Sequence, residues 1–412
     1  MMRVWLVSEV FYPEDTGTGY YMTGVAEGLA ERFDVRVLCS QPTYAARGSL
    51  SPWSEIHRGV QIERCKGTTF NKDVLILRLA NVVTISLSLF LKTLQRIRKS
   101  DVVIVVTNPP LLPFFVALTC RLRGAKCILR VDDVYPEAIT AAGLARPNSI
   151  IVRILSWMTN RLYQTVDHIV VLGRDMERLA KEKIGHSTKR KIDVIPIWAD
   201  VNLVMPTMKQ SNTLLHELGL MDKFVVLCAG NMGRAQGVEN MLKAAEILKG
   251  NQSIHFLFIG SGAKRQWMEN EVQQQKMYNV TLLDQRPRSD QPIFLNACDI
   301  AMVSLLPGMT GAGVPSRLYN ILAAGRPVLA VTGLDSEIAL VVDEECIGWC
   351  VHPDQPSKLA EAILEAKTNP SRLLRMGKHA RMVAESKYSP ERIIEAYAGL
   401  IEDVMAAQER LF

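Results

Sequence analysis

The chain has 412 residues, more than one ordinary domain of about 100–200 residues, so two or three domains are expected. Hydrophobic residues make up 48% and charged residues 22%, which excludes disordered and collagen-like classes. The net charge of +6 is unevenly spread, with net +8 in residues 1–200 and net −2 in the remainder, and this suggests a first half that faces something anionic. Strand-length apolar runs alternate with stretches of helical spacing from end to end. In chain order the pattern predicts a strand over Arg3–Ser8, a helix over Gly19–Phe33, and strands over Val35–Cys39, Val102–Val106, Cys127–Val131 and His168–Leu172. The alternation breaks at Pro196 and resumes with strands over Phe224–Cys228, His255–Ile259, Val280–Leu283, Ile300–Val303 and Val328–Val331. The predicted class is α/β: two doubly wound lobes, each a parallel sheet covered on both faces by helices, joined near residues 196–210. The last helical stretch, residues 389–412, is followed by no strand, so it either caps the second lobe or crosses back to the first.

Eight cysteines lie mostly in apolar runs, where a thiol acts as a small hydrophobe. They are too few for a disulfide scaffold in so long a chain. Cys346, Cys350 and His352 are one ligand short of a matched zinc set, so no metal site is expected. The first apolar run, Val4–Val7, is too short for a secretory signal and leads into Glu9.

The stretch Leu79–Leu91 is uncharged for 13 residues, fewer than the roughly 18–20 that a spanning helix needs. Val102–Arg121 is interrupted by Thr107-Asn108-Pro109-Pro110. Basic residues follow both segments: Arg96, Arg98 and Lys99 after the first, and Arg121, Arg123 and Lys126 after the second. Two readings stand side by side. The segments are core helices with solvated ends, or they form an interfacial patch that joins apolar burial to attraction for anionic lipid.

Candidate chemistry sits in the strand-to-helix turns. In Phe11–Tyr20, Gly17, Thr18 and Gly19 stand where a helix should begin; the loop is either a plain turn or a place where backbone N–H groups meet an anion. Asp132 and Asp133 end a strand, where ligands of open α/β sheets bind, and strand alternation lets at most one of them face a given cleft. The turn Ala229–Gly237 carries Gly230, Asn231, Gly233, Arg234 and Gln236, a composition suited to a diphosphate held by amides and a guanidinium. Gly260, Ser261 and Gly262 end the next strand. A glycine loop with Gly311, Ala312 and Gly313 runs to Pro315, Ser316 is placed to cap a short helix, and Arg317 and Asn320 share a face of that helix. Two anion sites on one lobe are hard to explain by packing alone.

With those motifs in that order, together with Val194–Asp200 and Ala323-Ala-Gly-Arg-Pro327, the chain resembles the retaining glycosyltransferases of family 4, the group 1 glycosyl transferases of GT-B fold. It is most similar to the bacterial subgroup that adds fucose or N-acetyl-fucosamine during O-antigen, capsule and colanic-acid assembly. The resemblance implies two Rossmann-like lobes facing a central cleft. Residues 1–200, joined by the helix 389–412, would bind acceptor, and residues 201–388 would bind a nucleotide-sugar, with a UDP-sugar favoured over GDP. It implies that Arg234 and Arg317 contact the diphosphate, that Asn320 bonds ribose hydroxyls, that Ala312 leaves backbone N–H groups for the donor sugar, and that Gln285 and Arg286 lie near the base. Asp132 and Asp133 would be the catalytic carboxylates of the first lobe. The pair of glutamates seven residues apart is missing, its positions falling on Ala312 and Asn320, and Gln236 replaces the family's frequent Lys.

The expected reaction is same-face displacement in which protein cations replace a metal, so no cofactor is expected. The expected partners are a nucleotide-sugar, a polyprenyl-diphosphate-linked saccharide and an anionic membrane surface, with no nucleic acid. The expected place is the cytoplasm, on the inner face of the cytoplasmic membrane. The alternatives are a nucleotide-sugar epimerase on the same fold and a non-catalytic nucleotide-sugar-binding subunit.

Overall fold

The computed structural model describes residues 3–42, 50–70, 74–185 and 191–409. It divides into two compact units: residues 1–136, 148–196 and 391–412 form the first, and residues 137–147 and 197–390 the second.

The first unit contains eight strands: β1 (Arg3–Val7), β2 (Asp34–Ser40), β3 (Ser54–His57), β4 (Val60–Cys65), β5 (Val102–Val106), β6 (Lys126–Val131), β7 (His168–Val171) and β8 (Lys191–Val194). They form one sheet in the order β3-β4-β2-β1-β5-β6-β7-β8, parallel except for the β3–β4 hairpin. The apolar runs VWLV and VVIVV supply β1 and β5, which are buried as central parallel strands require. The hairpin was not legible in the period of the sequence. Its turn is Arg58-Gly59, both at positive φ (46° and 82°), which matches the right-handed twist of the flanking strands.

The second unit has β9 (Phe224–Ala229), β10 (Ile254–Ile259), β11 (Val280–Leu283), β12 (Ile300–Ser304), β13 (Val328–Val331) and β14 (Gly348–Val351), all parallel, in the order β11-β10-β9-β12-β13-β14. Its core fills the space between sheet and helices with Val226, Met241, Phe256, Phe258, Met302 and Ile363. In both sheets the strand order reverses beside the first strand, between β1 and β5 and between β9 and β12. A crevice opens at the carboxyl ends of such a pair, and ligands of this fold class bind there.

The placement of residues 137–147 differs from the sequence expectation. Residues 137–147 lie in the second unit, where Ala141 flanks Gly308 (a Cβ on Gly308 would meet that of Ala141 at 3.7 Å). Pro136 and Pro147 punctuate both ends of this excursion. The helix Pro390–Glu409 packs on the first unit; residues 410–412 lie outside the described residues. Arg130 Nη1 donates to the Tyr397 hydroxyl at 2.7 Å, Arg32 Nη1 meets Glu395 at 3.0 Å, and Ile394 covers Gly28 so closely that a Cβ there would sit 2.5 Å from its Cδ1.

The helix Leu75–Arg96 has 22 residues and continues past both ends of the uncharged stretch Leu79–Leu91, through Arg78 and Lys92. By length and composition alone it could cross a membrane. One face nevertheless belongs to the first unit's core, with Ile85, Ser86, Leu89 and Thr93 all buried.

Candidate active site

At the β9–β12 reversal, the turn after β9 and the loop after β12 close on each other. Leu306 N donates to Ala235 O at 2.9 Å, and Gly237, at φ 57°, leaves room for Leu306 and Ser304. Arg317 starts the helix Arg317–Ala323 and reaches back over this turn, its Nη2 donating to Asn231 O at 3.4 Å. Its Nη1 is buried without a hydrogen-bond partner. Gln236 Oε1 and Ser304 Oγ, in the same two segments, are also buried without partners. Buried polar atoms are usually satisfied, so three unpartnered ones together could bond a polar ligand. Arg234 is exposed and makes no ion pair or hydrogen bond among the described residues. Burial raises the Cys228 thiol, while the neighbouring Arg317 guanidinium pulls it the other way.

Ser304 was missed in the sequence because nothing in its local pattern marks it; its position at the carboxyl end of the strand beside the reversal is what gives it a role. Arg265 was missed too. It donates from Nη1 to Leu283 O at 2.8 Å and pairs with Glu269 at 2.7 Å, tying down the end of β11.

Gly260 and Gly262 serve chain packing. A Cβ on Gly260 would lie 1.9 Å from Gly230 O, and one on Gly262 would lie 2.5 Å from Asn231 Oδ1. Their absent side chains let the turn after β10 lie flat on the turn after β9, with Met232 N donating to Ser261 O at 2.8 Å. Gly233 has a similar reason, since a Cβ there would sit 2.7 Å from Gln236 Oε1. Ser261 Oγ donates to Gln285 Oε1 at 2.7 Å, and Arg286 stands 3.7 Å from Asp290, so both candidate base contacts are held by protein partners.

Three expectations are corrected. Ser316 stands at the N-cap position but does not cap with its side chain, because its backbone is already helical (φ −59°, ψ −22°) and its hydroxyl makes no capping hydrogen bond. The N–H of Ala312 is not offered to a ligand; it closes a turn on Met309 O at 2.9 Å within a buried loop that includes Gly311 and Gly313. Asn320 is only 3% exposed and faces inward. Its Oδ1 accepts from Asp200 N at 3.0 Å, and its Nδ2 donates to Gln291 Oε1 at 3.1 Å and Asp200 Oδ2 at 3.4 Å. Asp200 also takes Trp198 Nε1 at 3.0 Å and Arg288 Nη1 at 3.1 Å. Asn320 therefore anchors the segment 198–200, with both Nδ2 hydrogens engaged by protein acceptors.

The first unit holds the remaining candidates at the carboxyl ends of β1, β5 and β6. Thr16 caps the helix Gly17–Leu29 by accepting from Gly19 N at 3.3 Å. Gly19 is required by Glu14 O, 2.7 Å from where its Cβ would be, whereas Gly17 faces open space. Thr18 Oγ1 donates to Asp132 Oδ2 at 3.1 Å, and buried Arg130 pairs with Asp132 Oδ1 at 2.8 Å. Thr107 Oγ1 accepts from both Asp132 N and Asp133 N, at 3.1 and 3.3 Å. The two carboxylates thus part company. Asp132 is occupied as a strut, while the carboxylate of Asp133 has no partner among the described residues. The Asp133 side chain reaches solvent yet is crowded by protein; that desolvation, and then the Asp132 charge, raises its pKa to about 6.

Two family descriptions match the chain: "Glycosyl transferase 4-like domain" over residues 16–198 and "Glycosyl transferases group 1" over residues 213–383. The chain is 32% identical to "Probable glycosyltransferase WbjE" of Pseudomonas aeruginosa, over 98% of this chain and 99% of that one. It is 25% identical to "Putative colanic acid biosynthesis glycosyl transferase WcaI" of Escherichia coli (strain K12), over 96% and 98%. Among solved structures, Anabaena Alr3699/HepE in complex with UDP-glucose superimposes with a TM-score of 0.74 at 14% identity, over 98% of this chain and 100% of that one.

Proposed function

The chain belongs to the group 1 glycosyl transferases, of GT-B fold, and from that premise we propose that this glycosyltransferase moves a sugar, with retention, from a UDP-sugar to a lipid-linked saccharide in bacterial surface polysaccharide assembly. The observation that carries the reading is the set of orphaned polar atoms at the β9–β12 reversal, Arg317 Nη1 above all. A buried guanidinium nitrogen without a partner is unfavourable by about 1–3 kcal/mol, and an anion offsets it. Arg317, exposed Arg234 and the free hydroxyl of Ser316 suit the diphosphate of the donor. The UDP-glucose named with HepE supports uracil over guanine, and the name of WcaI supports polysaccharide assembly. The sugar proposed, on the sequence resemblance alone, is N-acetyl-fucosamine or a related hexosamine.

In the proposed step the bond from the anomeric carbon to the diphosphate oxygen breaks. A bond to the acceptor oxygen forms on the same face, and the acceptor proton passes to the departing phosphate. Charge grows on the diphosphate as the bond breaks, so Arg234 and Arg317 act more strongly on the transition state than on the ground state. That work needs no divalent ion. In the first unit, Asp133 offers an unpaired carboxylate to an acceptor hydroxyl.

The acceptor's lipid places the protein on the inner face of the cytoplasmic membrane. Support comes from three neighbouring helices of the first unit, Leu75–Arg96, Leu112–Arg123 and Ile150–Thr165. Leu79, Val83, Leu87 and Leu91 are exposed on the first, Leu118 and Leu122 on the second, and Ile150, Ile151, Ile154 and Trp157 on the third. The basic flank is thinner than the sequence suggested: Arg96 pairs with Glu63 at 2.8 Å, Lys126 with Asp167 at 2.9 Å, and Arg123 bonds Leu94 O. Arg98, Lys99 and Arg121 remain exposed.

Purified protein incubated with UDP- and GDP-sugars tests the proposal. Transfer requires acceptor and survives EDTA followed by buffer exchange. Acceptor-independent epimerisation, or activity restored only by Mg²⁺, contradicts it.

A further inference from the structure

A second concavity lies wholly within the first unit, at the carboxyl ends of β1, β2 and β4, with a volume of about 210 Å³. Its frame is fixed by polar contacts that leave other groups free. Gln41 holds Ser51 through two hydrogen bonds of 3.0 Å. Asn81, on the helix Leu75–Arg96, holds Phe70 N and O at 2.9 Å and accepts from Thr68 Oγ1 at 2.8 Å. Gly67 lets the chain touch that helix, since a Cβ there would lie 3.0 Å from Ile85 Cβ. Lining the space but taking no part in this frame are the ring of Trp53, 54% exposed, the ammonium of Lys66 and the hydroxyl of Thr69.

We propose that this concavity binds one sugar ring of the lipid-linked acceptor, stacked on Trp53 with its hydroxyls on Lys66 and Thr69. The proposal rests on the transferase reading above. Its chemistry follows from the lining: a pyranose has an apolar C–H face and a polar rim, and a site for it needs an open aromatic face beside donors and acceptors. The volume suits a single ring, being below the roughly 300–1,000 Å³ of pockets for larger ligands. The helix Leu75–Arg96 supplies the link to lipid, because Asn81 and Ile85 line the concavity while Leu79, Val83 and Leu87 are exposed. A saccharide seated here has its anchor beside an apolar face.

The test uses the full chain labelled with 5-fluorotryptophan and followed by ¹⁹F NMR. Trp53→Phe removes one resonance and so assigns it. Methyl glycosides of glucose, N-acetylglucosamine, N-acetylgalactosamine and rhamnose are the probes, with UDP as a separate titrant. The expected result is a saturable shift of the Trp53 resonance with at least one glycoside and none with UDP, and a fivefold or greater loss of that affinity in Lys66→Ala. In turnover assays with farnesyl-diphosphate-linked saccharides, Trp53→Ala should raise the acceptor KM at least tenfold and leave the donor KM within twofold. A Trp53 resonance unmoved by every glycoside, in a protein that still binds UDP, overturns the proposal. Failure of wild type to bind UDP at all would instead overturn the UDP-sugar donor proposed above.

Discussion

The guanidinium of Arg317 covers the α-carbon of Gly230, and a methyl group added there would stand 3.3 Å from its Cζ. Gly230 also sits at φ 127°, a conformation that a side chain strains by about 1–3 kcal/mol. Gly230→Ala should therefore act twice, lowering Tm by several degrees and displacing Arg317 from the donor site. The expected kinetic result is a fall of at least tenfold in kcat/KM for the nucleotide-sugar at a temperature where the variant is folded. Unchanged kcat/KM would show that the contact has no bearing on the donor.

Asn320 is predicted to matter for stability and little for donor affinity. Asn320→Ala removes the acceptor of Asp200 N and one of the donors to the buried Asp200 carboxylate, a loss of about 1–3 kcal/mol. Asn320→Asp should be worse, since it places a second carboxylate against Asp200. Chemical denaturation reads the stability, and UDP titration of the folded variants reads the affinity. A folded, stable Asn320→Ala with tenfold weaker UDP binding would restore the ribose role.

Asp133 makes stability depend on pH. Its carboxyl is raised from 3.8 to about 6, so the folded state holds the proton more tightly than the unfolded one. That advantage is complete at low pH and is lost as pH rises from about 4 through about 6. The Tm of Asp133→Asn relative to wild type should accordingly be higher at pH 8 than at pH 4.5. A difference that is the same at both pH values would mean the carboxyl titrates normally.

Flotation with anionic vesicles tests the membrane surface. Each exposed Lys or Arg near such a surface contributes about 1 kcal/mol, and the attraction is screened by salt. Wild type should float at low salt and be released at high salt. Replacing Ile151 and Ile154 with Asp, or Arg98, Lys99 and Arg121 with Glu, should abolish flotation while UDP binding persists. Wild type left in the soluble fraction at low salt would exclude this surface.

The layer plan was readable because buried parallel strands are written as unbroken apolar runs, and every predicted strand from Arg3 to Val331 is present, give or take a residue. The β3–β4 hairpin escaped because both strands are short and polar residues interrupt their apolar ones, with β3 half-exposed. In the site, Arg234, Arg317 and the glycine turns were legible as composition at strand ends. What composition could not reveal was direction. Asn320 and Asp132 look available in the sequence, yet Asp200 engages the first, and distant Thr18 with nearby Arg130 engages the second. Ser304 and the Trp53 concavity depend wholly on which strands become neighbours.

The most direct test of the account is the turnover of Arg317→Ala with saturating UDP-sugar and acceptor. Arg317 is placed to meet charge that develops on the leaving diphosphate, so kcat should fall by about 10²–10³ while UDP still binds measurably. Arg317→Lys should recover part of the loss, as a point charge without the fork of a guanidinium. A wild-type kcat in Arg317→Ala would contradict the central claim.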